Sequence, residues 1–410
     1  MTLLNHKLDR RRFGSVASLA ALLSVAETAP LGAQRSPFAP ATPVPASPAS
    51  DGPLGRLLTM VPRATLDRIA SGIPWTYVDL AAQFAALSMH HGLEGPDPGE
   101  PVANATLALA GTSPLLAFAM DEEFIAAIGF HPLGLNQFLH IGDPGSQVQL
   151  FTAPFDADGL ATAWTASGYE LVEAVSGIDL WTIGPESDIS FDHPVQRRVI
   201  SSMNNLALVG EVIVATPTLA SLREVVEFME GGGESLLDDP ATGPLVATLP
   251  TTIASAIAIQ PVALDVQPIM LDEAAIQVAE RQAIEAEVGP MPPLRGVITA
   301  VEAGAFMIES DWSEAGTREE TVRPDAGTAY LRLATASPTA AEQVLSVIER
   351  RWERLHSVHS DLMYAEIMEI VDGTIHGEVV ELDLRQLRQP QAWQQMILSG
   401  DVLPLVPDEE

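Results

Sequence analysis

The stretch from residue 147 to residue 183, QVQLFTAPFDADGLATAWTASGYELVEAVSGIDLWTI, carries strand, helix and strand signals in succession. Polar and apolar residues alternate from Gln147 to Phe155, which is typical of a half-buried strand. An acidic residue, Asp156 or Asp158, then caps a helix, and the chain returns as a strand from Tyr169 to Ile183. We interpret this stretch as one β-α-β unit.

The same strand–helix–strand plan recurs near residues 206–260 and 328–384. The first recurrence contains a hairpin around Gly210. The second contains a helix from Thr339 to Leu355 and then a hairpin across Asp372-Gly373, a dipeptide that favours a two-residue turn. We therefore predict an α+β fold of repeated strand–helix–strand modules, with antiparallel or mixed sheets packed by helices and divided into two lobes.

Composition divides the chain into six segments. They are a signal peptide (1–33), a Pro-, Ala- and Ser-rich spacer (34–52), a first α+β lobe (53–270), a helical and Pro-rich connector (271–294), a second α+β lobe (295–390) and a C-terminal helix with an acidic tail (391–410). The spacer has too few large apolar residues to offset the entropy lost on ordering. The sequence leaves open whether the two lobes share one sheet.

The N-terminal segment is typical of a targeting signal. Arg10-Arg11-Arg12-Phe13 precedes an apolar run from Val16 to Ala26, and residues 31–33 are suited to cleavage. The two arginines, one free position and the phenylalanine resemble a twin-arginine signal, with an ordinary secretory signal as the alternative. The run is shorter than the roughly 20 residues that span a bilayer. We expect an exported protein, extracellular or in the cell envelope, with no integral membrane span once the signal is removed.

The charge composition excludes several classes of chemistry. The 410 residues include 54 acids, 21 bases and no cysteine, for a net charge of −33, and Lys7 is the single lysine. Thiol nucleophiles, disulfides, cysteine-bound metals and, past residue 7, lysine-based catalysis are therefore absent. Nucleic acid is not an expected partner, because phosphate binding requires a basic patch.

The acidic residues are unevenly distributed. Between Arg68 and Arg197 there is no lysine or arginine, yet 16 acids lie in that stretch. We expect the first lobe to attract cations or basic partners, and we expect that attraction to weaken with salt.

His356-Ser-Val-His359-Ser-Asp361 is the sharpest candidate site. On a helix, His356 and His359 would share one face, and Asp361 could complete or orient a metal site. The alternative is the end of a helix with histidines in solvent or at the edge of the core. The sequence predicts no catalytic or cofactor-binding residue and no cofactor.

Two other motifs have both a functional and a structural interpretation. Asp156-Ala-Asp158-Gly159 resembles the start of a calcium loop but lacks the later ligands, which favours a helix cap. Gly231-Gly-Gly-Glu-Ser235 falls short of a nucleophile elbow, because Leu237 occupies the final glycine position. Three adjacent glycines favour a flexible turn.

Basic and histidine side chains near helix ends are the remaining candidates. Arg350, Arg351 and Arg354 could grip an anion, but the interleaved acids favour a solvated helix face with weak ion pairs. His140 stands two residues before Gly142, which we interpret as a helix end.

A set of turn, cap and core positions resembles a module of uncharacterised exported bacterial proteins over roughly residues 53 to 385. These positions are Gly129-Phe-His-Pro-Leu133, Gln137, Gly142 with Pro144, Phe155-Asp156 and Gly168-Tyr169. The resemblance implies no activity and no functional residue.

Three functions from different classes remain. The first is an exported non-catalytic protein that binds an unknown protein or small-molecule partner, possibly cationic, or acts at the cell envelope. The second is a binding protein for a small ligand or divalent cation held between two lobes, where carboxylates or aromatic residues such as Trp164, Trp181 or Trp312 would cluster. The third is a hydrolase that uses carboxylates or a histidine.

Overall fold

A computed structural model provides the structure of this chain. It describes residues 49–69, 73–86, 114–143, 145–184, 189–261, 271–303, 308–312, 318–322, 328–357, 362–387 and 392–406. The predicted signal peptide and residues 34–48 of the predicted spacer lie outside the described residues.

Antiparallel pairing organises the described strands. Their bounds are β1 Trp75–Asp79, β2 Gln137–Ile141, β3 Val148–Thr152, β4 Glu170–Val175, β5 Ile178–Thr182, β6 Asn205–Val209, β7 Val212–Thr216, β8 Ile253–Ile259, β9 Gly296–Glu302, β10 Ile308–Trp312, β11 Arg318–Val322, β12 Thr328–Ala334, β13 Met368–His376 and β14 Val379–Gln386. Twelve strands form one sheet in the order β13-β14-β12-β9-β8-β1-β2-β3-β7-β6-β5-β4, and β10 and β11 pair separately. The predicted α+β class and an antiparallel sheet are confirmed.

Helices connect many of these strands. Their bounds are α1 Pro53–Leu58, α2 Leu80–Ala86, α3 Glu122–Ile128, α4 Ala157–Ala166, α5 Gln196–Val199, α6 Leu219–Gly231, α7 Gly243–Ala247, α8 Leu271–Val288, α9 Pro338–Arg354, α10 Tyr364–Ile367 and α11 Ala392–Ser399, with 3₁₀ turns at Ala49–Asp51, Arg63–Arg68, Pro114–Phe118, Pro132–Gly134, Leu236–Asp238 and Leu403–Leu405. Caps begin several helices, because a side-chain oxygen satisfies a free N–H of the first turn. Asp121 accepts from Phe124 N at 3.0 Å, and Thr218 accepts from Ser221 N at 3.1 Å.

Apolar side chains on both faces of the sheet pack against helices. On β1, Val78 belongs to the core that contains Trp164 of α4 and Trp352 of α9, whereas Tyr77 belongs to the core that contains Leu222 of α6. Successive strand residues point to opposite faces, so helices cover the sheet on both sides. This explains why strands such as β8 are buried at every position.

The sheet runs through the predicted boundary between the lobes. Strand β8, from the first predicted lobe, pairs with β9, from the second, and Ala256 stands opposite Ala300. Residues Pro45–Glu410 also group as one compact unit. The residues of both predicted lobes therefore share one sheet, which answers the question that the sequence left open.

Two predicted turns are placed differently. The strand predicted from Tyr169 to Ile183 is a hairpin, β4 and β5, because Ser176 and Gly177 adopt the positive φ angles that a tight two-residue turn requires. The hairpin predicted across Asp372-Gly373 turns instead at Gly377, where φ is +62°.

Asp372 and Gly373 lie inside β13, beside an irregularity in its pairing with β14. A Cβ atom at Gly373 would lie 3.2 Å from Cδ1 of Leu345 on α9. Glycine therefore serves close packing of the helix on the strand here, and the turn prediction was wrong.

Each end of the sheet is built by the same sequence of elements. A strand leads to a helix and then to an outer hairpin: β3, α4 and β4–β5 at one end, and β12, α9 and β13–β14, with α10 before the hairpin, at the other. Each helix buries a tryptophan whose indole N–H donates to a carbonyl. Trp164 donates to Ile128 O at 2.8 Å, and Trp352 donates to Met368 O at 2.7 Å.

The C-terminal segment packs into the core. After α11, Leu403 and Leu405 are buried, and the buried Asp401 carboxylate accepts hydrogen bonds from Ser357 Oγ at 2.6 Å and from the Tyr364 hydroxyl. These contacts hold Asp401 against α10 and against the residues that follow α9.

Candidate functional site

The structure describes only His356 of the predicted metal trio. Helix α9 ends at Arg354, so His356 lies beyond it, exposed and in a bridge with Met363. The helical spacing that favoured a shared face therefore does not apply at His356. His359 and Asp361 lie outside the described residues, and the part of the chain that is described contains no group of three or more His, Asp or Glu side chains placed to hold a metal ion.

The arginine cluster divides between two environments. Arg350 Nε lies 3.5 Å from Glu287 and Arg354 Nε lies 2.5 Å from Glu280, both on α8. These are the expected weak surface ion pairs. Arg351, in contrast, is fully buried and donates to Val406 O. A solvated face was the wrong interpretation for Arg351, because its position on the helix turns it toward the C-terminal segment.

Ser235 is not an activated nucleophile. Its hydroxyl donates to Asp238 Oδ2 at 2.7 Å, and the same carboxylate oxygen accepts from Ser235 N at 2.8 Å. These bonds lower the pKa of Asp238 and cap a 3₁₀ turn. Of the three glycines before Ser235, Gly231 is the last residue of α6, and Gly232 and Gly233 follow it.

His140 lies in strand β2, not at a helix end. Its Nε2–H donates to Gly142 O at 3.0 Å, and burial lowers its pKa. Its cross-strand neighbours are Thr76 and Gln149. A neutral imidazole between two uncharged polar residues is a structural arrangement, and it does not provide a general base with a positioned partner.

A buried charge on β12 was missed by sequence reasoning. Arg332 is 3% exposed; its Nη2 lies 2.8 Å from Asp383 Oδ1, and its Nε lies 3.7 Å from Glu381 Oε2. Its Nη1 donates to Leu382 O, and its guanidinium carbon lies 5.2 Å from the centre of the Tyr330 ring. A single arginine within the apolar run TAYLRLA could have indicated it. The cluster joins strands β12 and β14 and leaves little of the guanidinium open to a ligand.

Strand β4 is the outermost strand at the end of the sheet opposite β13. Among the described strands it pairs only with β5, and Leu171 and Val172 are 53% and 50% exposed. Glu173 pairs with Arg223 of α6. Glu170 and Asp179 are exposed, and neither forms an ion pair with the residues that the structure describes. We call the hairpin β4–β5 together with α4 the acidic end.

The opposite edge is β13, where the charges are more often paired. Glu369 pairs with Arg385, and His376 Nδ1 lies 2.5 Å from Glu381. Val371 is 59% exposed. Both edge strands contain an irregularity in register, a feature that discourages indiscriminate pairing of edges.

Comparisons of the chain with protein-family models, with curated proteins and with solved structures found no match. No helix in the described part of the chain combines the length and the apolar composition that crossing a bilayer requires.

Proposed function

We propose that this protein is exported, is not a catalyst, and acts outside the cell or at the cell envelope by binding a cationic protein partner at its acidic end. The observation that carries the proposal is the exposure of β4, an edge strand with two half-exposed apolar side chains beside Glu170, whose carboxylate forms no ion pair with the described part of the chain.

The partner that fits this edge is an extended, basic segment of another protein. An edge strand presents unpaired N–H and C=O groups that an added strand can satisfy. Side chains on one face of that strand would meet the carboxylate of Glu170, and those on the other face would meet Leu171, because successive strand residues point to opposite faces. A second copy of this chain fits less well, because each copy would bring the same acidic edge and a net charge of −33.

Two alternatives have less support. A divalent-cation site would need at least three converging acid or histidine side chains, and the described residues contain no such group. Of the aromatic side chains predicted to line a small-ligand site, Trp164 and Trp181 meet with ring centroids 5.9 Å apart, but Trp164 is buried in the core. A hydrolase would need an activated nucleophile or general base, and the bonds of Ser235 and His140 favour structural roles.

The test uses a labelled peptide of alternating lysine and valine, with an alternating glutamate and valine peptide for comparison. Fluorescence anisotropy measures binding at about 20 mM and about 300 mM salt, where the screening lengths differ about fourfold. Glu170→Lys on β4 is compared with Asp372→Lys on β13, because both replace an exposed acid on an edge strand and change the net charge equally.

We expect only the basic peptide to bind, more weakly at high salt. Glu170→Lys should weaken binding about tenfold, since an attraction becomes a repulsion, while Asp372→Lys should have less than about a threefold effect from net charge alone. Equal effects of the two variants would contradict binding at β4. A dimer in sedimentation velocity that Glu170→Lys disrupts would replace the proposed partner with a second copy of the chain.

A further inference from the structure

A cavity of ≈ 650 Å³ lies on the α6 face of the sheet, at the end of the β6–β7 hairpin. It is bounded by the end of α1, by the turn at Gly210 and Glu211, and by the end of α6 with Gly232 and Gly233 that follow it. We call it the triple-glycine pocket. Its volume falls within the range of small-molecule sites in proteins.

Apolar side chains line much of the pocket. Met60, Val209, Phe228 and Met229 are half-buried, so each keeps a surface that is open to a ligand. Methionine side chains adapt their shape, and the sulfur is polarisable. The face of a phenylalanine ring attracts cations. Such a lining is suited to the apolar body of a small organic molecule.

The glycines set the position of the aromatic ring. Gly233 has a φ of +151°, and a Cβ atom there would lie 2.9 Å from Cε2 of Phe228. Phe228 O also accepts from Gly232 N at 2.7 Å, which closes the end of α6. Any larger residue at position 233 would therefore displace the Phe228 ring.

The charges around the pocket are mainly negative. Glu211, Glu230 and Asp238 line it, with Arg56 as the opposing base. The hydrogen bonds from Ser235 lower the pKa of Asp238, so this carboxyl is ionised at neutral pH. The C-terminal end of α6, a helix of 13 residues, adds the negative pole of its dipole.

We propose that the triple-glycine pocket binds a small organic cation, an amine or quaternary ammonium with an apolar or aromatic body. The apolar body packs against Met60 and Met229, and the cationic group lies near the Phe228 ring and the carboxylates of Glu211 and Glu230. This site is separate from β4 and independent of the proposed partner, since Glu170 does not line it.

Isothermal titration calorimetry of the folded chain tests the proposal with benzyltrimethylammonium, and with benzyl alcohol and benzoate as neutral and anionic comparators. Glu230→Gln removes one lining charge. Glu227→Gln is the matched control, because Glu227 is an exposed acid on the same helix that does not line the pocket. Gly233→Ala and Phe228→Leu test the ring without changing charge, and circular dichroism confirms that each variant is folded.

We expect the cation to bind at least about tenfold more tightly than either comparator, because the ring and the carboxylates favour positive charge. Glu230→Gln should weaken binding about fivefold, Phe228→Leu about fivefold, and Glu227→Gln less than twofold. Gly233→Ala should resemble Phe228→Leu. Equal binding of benzyl alcohol, or equal losses in Glu230→Gln and Glu227→Gln, would overturn the proposal, and so would no binding at millimolar concentration. A negative result in this titration would not contradict the proposed binding at β4, because the two sites are separate and Glu170→Lys should not change the titration.

Discussion

Raising the pH from 9 to 11 should destabilise this protein steeply, because all of its tyrosines are buried. The chain has four: Tyr77, Tyr169, Tyr330 and Tyr364, which are between 0% and 8% exposed. Burial is the largest cause that raises the pKa of each hydroxyl, and the carboxylates of Asp79, Glu302, Asp383 and Asp401 add to it at three of the four sites. The folded protein therefore keeps these hydroxyls protonated at pH values where the unfolded chain releases their protons.

The direction and size of the effect follow from proton linkage. An unfolded tyrosine has a pKa near 10, so the stability contributed by protonated tyrosines is complete below about pH 10. It is lost as the pH rises from there toward the higher pKa of the folded state. Each tyrosine lowers the free energy of unfolding by about 1.4 kcal/mol for each pH unit above 10. Four together amount to about 5.5 kcal/mol between pH 9 and pH 11, which is a large part of a typical domain stability of about 5–15 kcal/mol.

The composition makes this titration unusually clear. Arginine keeps its charge at pH 11, there is no cysteine, and Lys7 is the only lysine. Urea unfolding at several pH values between 9 and 11, in about 0.5 M salt to screen repulsion among the carboxylates, gives the slope. Absorbance near 295 nm reports tyrosinate in the folded state. Tyr169→Phe should reduce the slope by about a quarter, whatever it does to stability at pH 9.

Two results would refute this reasoning. The first is a free energy of unfolding that changes by less than about 1 kcal/mol between pH 9 and pH 11. The second is tyrosinate absorbance that appears near pH 10 while the protein is still folded, since this would place the hydroxyls in contact with solvent. An unchanged slope in Tyr169→Phe would show that Tyr169 does not contribute to the pH dependence of stability.

Three further predictions concern buried polar contacts and export. Ser357→Ala should lower the free energy of urea unfolding by about 1–3 kcal/mol, because it removes a buried hydrogen bond to Asp401; the exposed Ser399→Ala is the control, with a change within about 0.5 kcal/mol. Arg332→Met should lower the free energy of unfolding by about 3 kcal/mol, because it leaves Asp383 and Glu381 beside an apolar side chain. The control Arg350→Met, at a half-exposed arginine, should lower it by only about 0–1 kcal/mol. A loss in Arg332→Met as small as that of the control would contradict the role of Arg332. Replacing Arg10 and Arg11 together with lysine should retain the protein in the cytoplasm, as measured by cell fractionation; continued export would favour the ordinary secretory signal.

The sequence predicted local elements better than it predicted their connections. The alternation near residues 147–155 and the acid at Asp156 predicted β3 and the start of α4, because the period of burial and the signals that start a helix are local properties. The turn at Asp372-Gly373 was misplaced because Gly373 is required by Leu345, which is distant in sequence. The buried state of Arg351 likewise depends on Val406, 55 residues later.

The candidate binding surfaces were harder to predict from the sequence than the fold. The excess of acids before Arg197 was visible, but the exposure of β4 follows from its place at the end of a sheet, which pairing between distant strands decides. The triple glycine was predicted to be a flexible turn, and the structure places Gly231 at the end of α6 with Gly232 and Gly233 directly after it. Its contact with Phe228 and its place beside Met60 require α1 and α6 to meet, which no local pattern encodes.

The pattern of ion pairs supports the proposal that the acidic end binds a cationic partner. Residues 69–196 contain no arginine or lysine, so any neutralising base must come from elsewhere in the fold. Arg197, Arg198 and Arg223 supply that base at Glu123, Asp121 and Glu173. Glu170 and Asp179 receive no such partner within the described residues. Exposed carboxylates attract counterions or a basic partner, and salt screens this attraction. The salt dependence of binding should therefore follow from these particular residues. It should decrease more in Glu170→Lys than in Asp372→Lys, although the two variants have the same net charge.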